Sequence, residues 1–208
     1  MLHKQKIEMK KYIIGIDEVG RGPIAGPVVV CACAIISGVD IIKYFPRQEL
    51  QDSKKLTGKR RQEILEKITD HTKSQEIIFG IGEMSAVVID EIGISVAIKG
   101  AILQALISLH QQSVPKESFI FLDGSLYAPE IYQQETIIKG DEKIPEISLA
   151  SIYAKEYRDT KMKEYAKQLP HYSFEKHVGY GTSAHYKAMK KHGLCELHRR
   201  SFLTKFLS

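Results

Sequence analysis

Residues 12–36 read YIIGIDEVGRGPIAGPVVVCACAII, and their reading decides the fold. Tyr12–Asp17 is a short apolar run that ends in an acid. Pro27–Ile36 is rich in β-branched and small residues, the pattern of a buried strand. Between them lies the Gly/Pro turn Gly20–Pro27. Two strands joined by so short a turn are expected to be antiparallel. Gly20–Gly26 (GRGPIAG) superficially suggests a dinucleotide-binding loop, and a nucleotide-cofactor enzyme is one alternative reading. That fingerprint requires strand, glycine-rich turn, then helix. Here the turn carries Pro23 and Pro27 and runs into Val28-Val29-Val30, a strand. The glycines suit instead a backbone lying tight against a ligand, and Arg21 between them could reach a phosphate.

Working outward, Thr57 is placed to cap a helix running to about His71. Glu76–Met84 reads as a strand and Ser95–Gln111 as a helix. Phe119–Asp123 and Thr136–Asp141 are short apolar runs ending in acids. From Ser148 the pattern turns helical through Leu169, where Pro170 stops it. Ala184–His192 is a further helix, stopped by Gly193. The order of elements predicts an α/β chain with a central mixed β-sheet flanked by helices and a helical C-terminal extension. A single unit over residues 1–208 is expected, with an α/β core at about 12–147 and a basic, helical part at about 148–208.

Composition narrows the class. The chain has 208 residues, 43% hydrophobic and 26% charged, near the globular average, which argues against disordered, collagenous and coiled-coil readings. Cys31, Cys33 and Cys195 are an odd, sparse set, unlike a secreted disulfide scaffold. The longest apolar stretch, Pro23–Ile36, falls short of the roughly 20 residues of a membrane helix. The first eleven residues lack the apolar block of a secretory signal. No membrane association and a cytoplasmic location are expected. The net charge of +5 is unevenly placed: residues 151–208 carry twelve Lys/Arg against five Asp/Glu, and the rest is slightly acidic. A basic C-terminal part on a near-neutral body points to a polyanion partner, most simply nucleic acid.

The acids carry the chemistry. Asp17 with Glu18, Asp123 and Asp141 each close an apolar run. Strands of one sheet place their ends close together, so these carboxylates are expected to crowd. Such a cluster is electrostatically unfavourable without cations. Oxygen-only ligands select hard metals such as Mg2+ or Mn2+, and a pair of them suits metal-assisted phosphodiester hydrolysis. Lys54 and Lys55, on a polar connection, are candidate phosphate contacts. Tyr180, between Gly179 and Gly181, could stack on a sugar or base if its ring is exposed. His198-Arg199-Arg200 reads as a backbone contact or a salt-bridging surface. Ser–His hydrolysis finds no Gly-x-Ser-x-Gly elbow, and Cys31 and Cys33 read as small core residues rather than zinc ligands.

These residues also match a family. Gly15–Pro23 (GIDEVGRGP) and Asp52–Leu56 (DSKKL) resemble signatures of ribonuclease HII, the bacterial type 2 ribonuclease H. Leu122–Gly124, Lys139–Asp141, Ala150–Lys155 with Arg158-Asp159, Gly179–Thr182 and His198–Phe202 follow in the expected order. The absence of room for an extra N-terminal domain favours type 2 over type 3. The resemblance implies a ribonuclease H-like fold and a metal-dependent endonuclease. It would hydrolyse the RNA strand of RNA–DNA hybrids and nick duplex DNA 5′ of embedded ribonucleotides, leaving 5′-phosphate and 3′-hydroxyl ends. It implies two divalent ions, Mg2+ or Mn2+, held by Asp17, Glu18, Asp123 and Asp141. Asp17 would bridge them, with Asp141 on the water side and Asp123 on the leaving-group side. Asp159 is a rival for the last place but lies well inside a helix, which favours a structural role. Gly20, Arg21 and Gly22 would read the ribose 2′-hydroxyl through their backbone, with Tyr180 at the RNA–DNA junction. Lys54, Lys55 and Ser151 would hold phosphates. A non-catalytic hybrid-binding protein of the same fold is the alternative. A monomer is expected, with the C-terminal tail packing back on the fold or meeting a protein partner.

Overall fold

The computed structural model describes residues 11–46, 50 and 56–207. Five strands form one mixed sheet: β1 (Tyr12–Val19), β2 (Val28–Ile36), β3 (Ile77–Met84), β4 (Phe119–Asp123) and β5 (Gln134–Ile137). Their spatial order is β3-β2-β1-β4-β5. β1 pairs antiparallel with β2, as the short turn between them requires, and β2 antiparallel with β3. β1 pairs parallel with β4, and β4 parallel with β5. The sheet is α/β and mixed, with β1 at its centre.

Strand alternation sorts the core into two layers. Ile14, Ile16, Val28, Val30, Ile120 and Leu122 face the long helix α4 (Ile94–Gln111). Val29, Cys31, Cys33 and Ile35 face the other way, onto α1 (Gly58–Lys67) and α5 (Pro145–Gln168). Each aliphatic side chain fully removed from water in these layers contributes about 1.5–3 kcal/mol. Among the described residues α4 is the one helix long and apolar enough to cross a membrane. Its Ala101, Ile102, Ala105, Leu106 and Leu109 are buried against the sheet, which makes it a core helix.

Several local expectations shift. The helix over 57–71 is broken at Ile68, which leaves helical dihedrals while its side chain stays buried; α2 (Thr69–Lys73) follows. A helix absent from the sequence reading, α3 (Ala86–Ile92), starts at the Ser85 cap and ends at Gly93, whose φ of 79° suits a glycine. α5 begins at Pro145, three residues earlier than expected, with the proline in its first turn.

The C-terminal part packs α6 (Phe174–His177), α7 (Ser183–His192) and α8 (Thr204–Leu207) against the far end of α5 and the turn after β1. Its small core joins Ile24 and Ala25 of that turn to Met162, Tyr172, Phe174 and Leu203. The tail folds back: Leu203 is buried and the Phe206 ring lies 5.8 Å from that of Tyr186.

Candidate functional site

Asp17 sits on β1, one residue beyond Ile16, whose parallel partner on β4 is Leu122. The register therefore sets Asp17 beside Asp123, the last residue of β4. Asp17 shares the α5 face of the sheet with Gly15. A Cβ on Gly15 would stand 2.2 Å from the Glu146 carbonyl carbon, so only glycine lets the first turn of α5 cross β1 here. That close crossing brings Ser151, in the second turn of α5, onto Asp17, to which its hydroxyl donates a hydrogen bond. Asp17 Oδ1 also accepts the Glu18 amide at 2.7 Å.

The carboxylates oppose one another. Burial pushes the Asp17 carboxyl well above its ordinary range, and the charges of Glu18 and Asp123 raise it further. Burial raises Glu18 as well; Asp123 adds to this, while Arg21, 3.7 Å away, pulls the other way. Asp123 Oδ1 accepts the amide of Gly140 at 2.6 Å, which draws the segment bearing Asp141 to the same strand end. Asp141 departs from the expected position. β5 stops at Ile137, Lys139 takes a left-handed conformation, and Asp141 lies in a single 3-10 turn, Gly140–Glu142, rather than at a strand end. Ser148 Oγ donates to the Asp141 carbonyl and holds that turn to α5.

Among the described residues no three Asp, Glu, His or Cys side chains already stand at metal-ligating spacing. What fits hard cations is the donor set: Asp17, Glu18 and Asp123, acids gathered at the adjacent ends of β1 and β4, of which burial and mutual repulsion disfavour the charge on Asp17 and Glu18. Asp159 does not share this environment. Its two oxygens accept Arg61 Nη2 and Lys155 Nζ, each at 2.8 Å, in a buried ion pair that ties α1 to α5.

The turn after β1 lies next to the acids. Gly20 is buried at φ 88°, and a Cβ there would strike Arg158 Nε at 2.4 Å. Arg21 and Gly22 are exposed. The Tyr180 ring is 45% exposed and lies against Gly22, with Cε1 3.9 Å from where a Cβ would be. Arg21, Gly22 and Tyr180 thus form one surface beside Asp17 and Glu18, with Gly20 buried beneath it. Ser151, expected among the phosphate contacts, is 4% exposed and its hydroxyl donates to Asp17. Lys54 and Lys55 lie outside the described residues.

The triplet His198-Arg199-Arg200 is not a surface patch. His198 and Arg199 are buried and only Arg200 is exposed. Arg158 is fully buried too, and it does not pair with its neighbour Asp159. Both guanidiniums bind backbone carbonyls. Burial lowers Arg158 to about 10 and, with the Arg158 charge, lowers Arg199 to about 9. In the sequence both arginines stand among charged and polar residues, and no local pattern marks these contacts.

Comparison with known proteins identifies the family. The family model for ribonuclease HII matches residues 14–205. Ribonuclease HII of Clostridium beijerinckii is 43% identical over 197 residues, 95% of this chain and 69% of that protein. Ribonuclease HII of Chlamydia trachomatis is 45% identical over 190 residues, 91% of this chain and 81% of that protein. Among solved structures, one of the PCNA–RNase HII complex from Archaeoglobus fulgidus is similar with a TM-score of 0.70 and 25% identity, covering 94% of both chains.

Proposed function

The chain belongs to the ribonuclease HII family and is a ribonuclease H, an endonuclease of the RNA strand of RNA–DNA hybrids, and we propose that it also nicks duplex DNA on the 5′ side of an embedded ribonucleotide. Asp17, Glu18, Asp123 and Asp141 would hold two divalent cations, Mg2+ or Mn2+. Bound there, the cations would supply stabilisation of the negative charge that builds on the attacking and leaving oxygens. The observation that carries this reading is the Asp17 carboxyl: buried, beside two other acids, and raised far from its ordinary range. Removing the charge of one member lowers the repulsion but also the affinity for a cation.

The protein's own groups do the rest. The Ser151 hydroxyl and the Glu18 amide hold Asp17 in one orientation. The Gly140 amide holds Asp123. The exposed backbone of Arg21 and Gly22 would accept close approach of a ribose and bond its 2′-hydroxyl, the group that separates RNA from DNA. The Tyr180 ring beside Gly22 would stack on the adjoining nucleotide. The basic C-terminal part would hold the phosphodiester backbone, a salt-sensitive and sequence-independent contact. A protein partner at the tail remains a separate proposal, for which Leu207, 52% exposed, is the apolar residue available.

A 5′-labelled DNA duplex with one ribonucleotide, incubated with Mg2+, Mn2+ or chelator beside an all-DNA control, tests this. A metal-dependent nick 5′ of the ribonucleotide, with the control intact, is expected. Cutting of long hybrids alone would remove the junction role of Tyr180. A metal titration followed by thermal melting adds a readout free of turnover: Mg2+ or Mn2+ should stabilise the wild-type protein and stabilise Asp17→Asn far less.

A further inference from the structure

The turn Gly20–Pro27 buries most of its backbone, and buried carbonyls require donors. Two guanidiniums supply them. Arg199 donates from Nε to the Gly26 carbonyl (2.9 Å), from Nη1 to Arg21 (3.2 Å) and from Nη2 to Gly20 (2.7 Å). Arg158 donates from Nε to Pro27 (2.9 Å), from Nη1 to Val178 (2.8 Å) and from Nη2 to Ala25 (3.1 Å). Two buried cations this close repel each other, and desolvation is costly. Six carbonyl bonds offset that cost.

The two arginines do different things to the turn. A trans peptide is planar, and its carbonyl and the following amide point in opposite directions; there are no cis peptides among the described residues. When Arg199 draws the carbonyls of Gly20 and Arg21 inward, it turns the amides of Arg21 and Gly22 outward. Neither of these amides donates to any described residue, and both residues are exposed. The carbonyls that Arg158 holds precede amides already used or set elsewhere: Gly26 donates to the Leu197 carbonyl, Gly179 to His177 Nδ1, and Val28 begins β2. Arg158 ties the turn to the Tyr180 loop and leaves the two outward amides alone.

We propose that Arg199 is a specificity-positioning residue: by gripping the carbonyls of Gly20 and Arg21 from inside, it aims the Arg21 and Gly22 amides at the ribose 2′-hydroxyl. The inference rests on the reading of Gly20–Gly22 as the ribose reader given above. A lysine cannot replace the grip, because a compact ammonium lacks the rigid planar fork that reaches three separate carbonyls.

The test compares Arg199→Lys with Arg158→Lys. For each, binding of a duplex with one ribonucleotide and of the all-DNA duplex is measured by fluorescence anisotropy in chelator, and melting is followed by circular dichroism. Arg199→Lys should lose roughly tenfold of the ribonucleotide preference, equivalent to one well-placed hydrogen bond, with affinity for all-DNA duplex retained. Arg158→Lys should lower the melting temperature similarly and keep the preference. A folded Arg199→Lys that keeps the wild-type preference overturns the inference, as does an equal loss in both variants, which would mark a merely structural role. If Arg199→Lys does not fold, the wild-type protein decides. The Arg199 Nη proton signals in nuclear magnetic resonance should shift on adding the ribonucleotide duplex and not the all-DNA duplex, and unmoved signals overturn the proposal. A wild-type protein with no ribonucleotide preference overturns the reading of the turn itself, which separates that failure from failure of the grip.

Discussion

Asp17-Glu18 and Gly20–Pro27 are neighbours in the chain and opposites in their electrostatics. In the first, like charges are crowded, and among the described residues they meet the Glu18 amide and Ser151 hydroxyl on Asp17, Arg21 at 3.7 Å from Glu18 and the Gly140 amide on Asp123. In the second, two like-charged guanidiniums are also buried side by side, yet their donors meet six carbonyls. Crowding of like charge is common to both. Satisfaction is not. The arginine pair is held inside the protein because every guanidinium nitrogen meets a backbone carbonyl. In the acid cluster burial and neighbouring acids disfavour the charge on Asp17 and Glu18, the condition that suits a cation site.

The hardest blow to that contrast falls on the acids. Asp17→Asn should reduce nicking of the ribonucleotide duplex by at least about a thousandfold, since several kcal/mol of charge stabilisation go with the cations; hybrid binding should persist on the basic face. The same variant should melt higher than wild type without metal, by roughly 2–4 °C for each kcal/mol of repulsion relieved. Near-normal cleavage with either metal would remove Asp17 from the site. The raised Asp17 carboxyl has a defined sign: its contribution to metal-free stability is present below the ordinary aspartate range and is lost as pH rises through the raised folded value.

Asp159→Asn tests the other kind of acid. Breaking its buried pairs with Arg61 and Lys155 should cost up to about 3 kcal/mol, about a hundredfold in the folding constant, by urea denaturation. Cleavage by the folded protein should survive. A loss of cleavage as large as that of Asp17→Asn, with stability intact, would move Asp159 into the metal site.

Tyr180→Ala should weaken binding of the ribonucleotide duplex by about tenfold, within the 1–3 kcal/mol range of base–aromatic stacking, and Tyr180→Phe should restore it. Equal binding by all three proteins would leave Tyr180 without the junction role.

The smallest effect concerns acid and the histidines behind the turn. His185 donates from Nδ1 to the Tyr180 carbonyl, and its Nε2 faces His198 Nε2 at 3.1 Å. Burial lowers His185 to about 4. A depressed histidine contributes stability that is present above its unfolded value near 6.5 and lost as pH falls through about 4. Hydrogen exchange over residues 171–203 should therefore speed up across that window while the sheet stays protected. Uniform loss of protection would tie this part to the core instead.

Much of the molecule was legible from its residues. β1, β2, β3 and β4 follow from apolar runs bounded by turn residues, and Asp17, Glu18 and Asp123 follow from where those runs end. The expectation for Asp141 rested on an inexact reason: it lies within a 3-10 turn rather than at a strand end, because Lys139 reverses the chain and the Gly140 amide bonds Asp123. The bond from Ser151 to Asp17 was not legible, since a sequence does not show that Gly15 lets α5 sink onto β1.

By itself the sequence determined the strand order along the chain, the acids and the glycine-rich turn, because these depend on neighbours a few positions apart. It also determined the family, whose model matches residues 14–205. Only the tertiary structure decided what Arg158, Asp159 and Arg199 do. Five of the six guanidinium–carbonyl bonds join residues 131 to 179 positions apart. Whether a charged side chain is scaffold or site depends on which distant backbone folds over it, and local pattern carries no record of that contact.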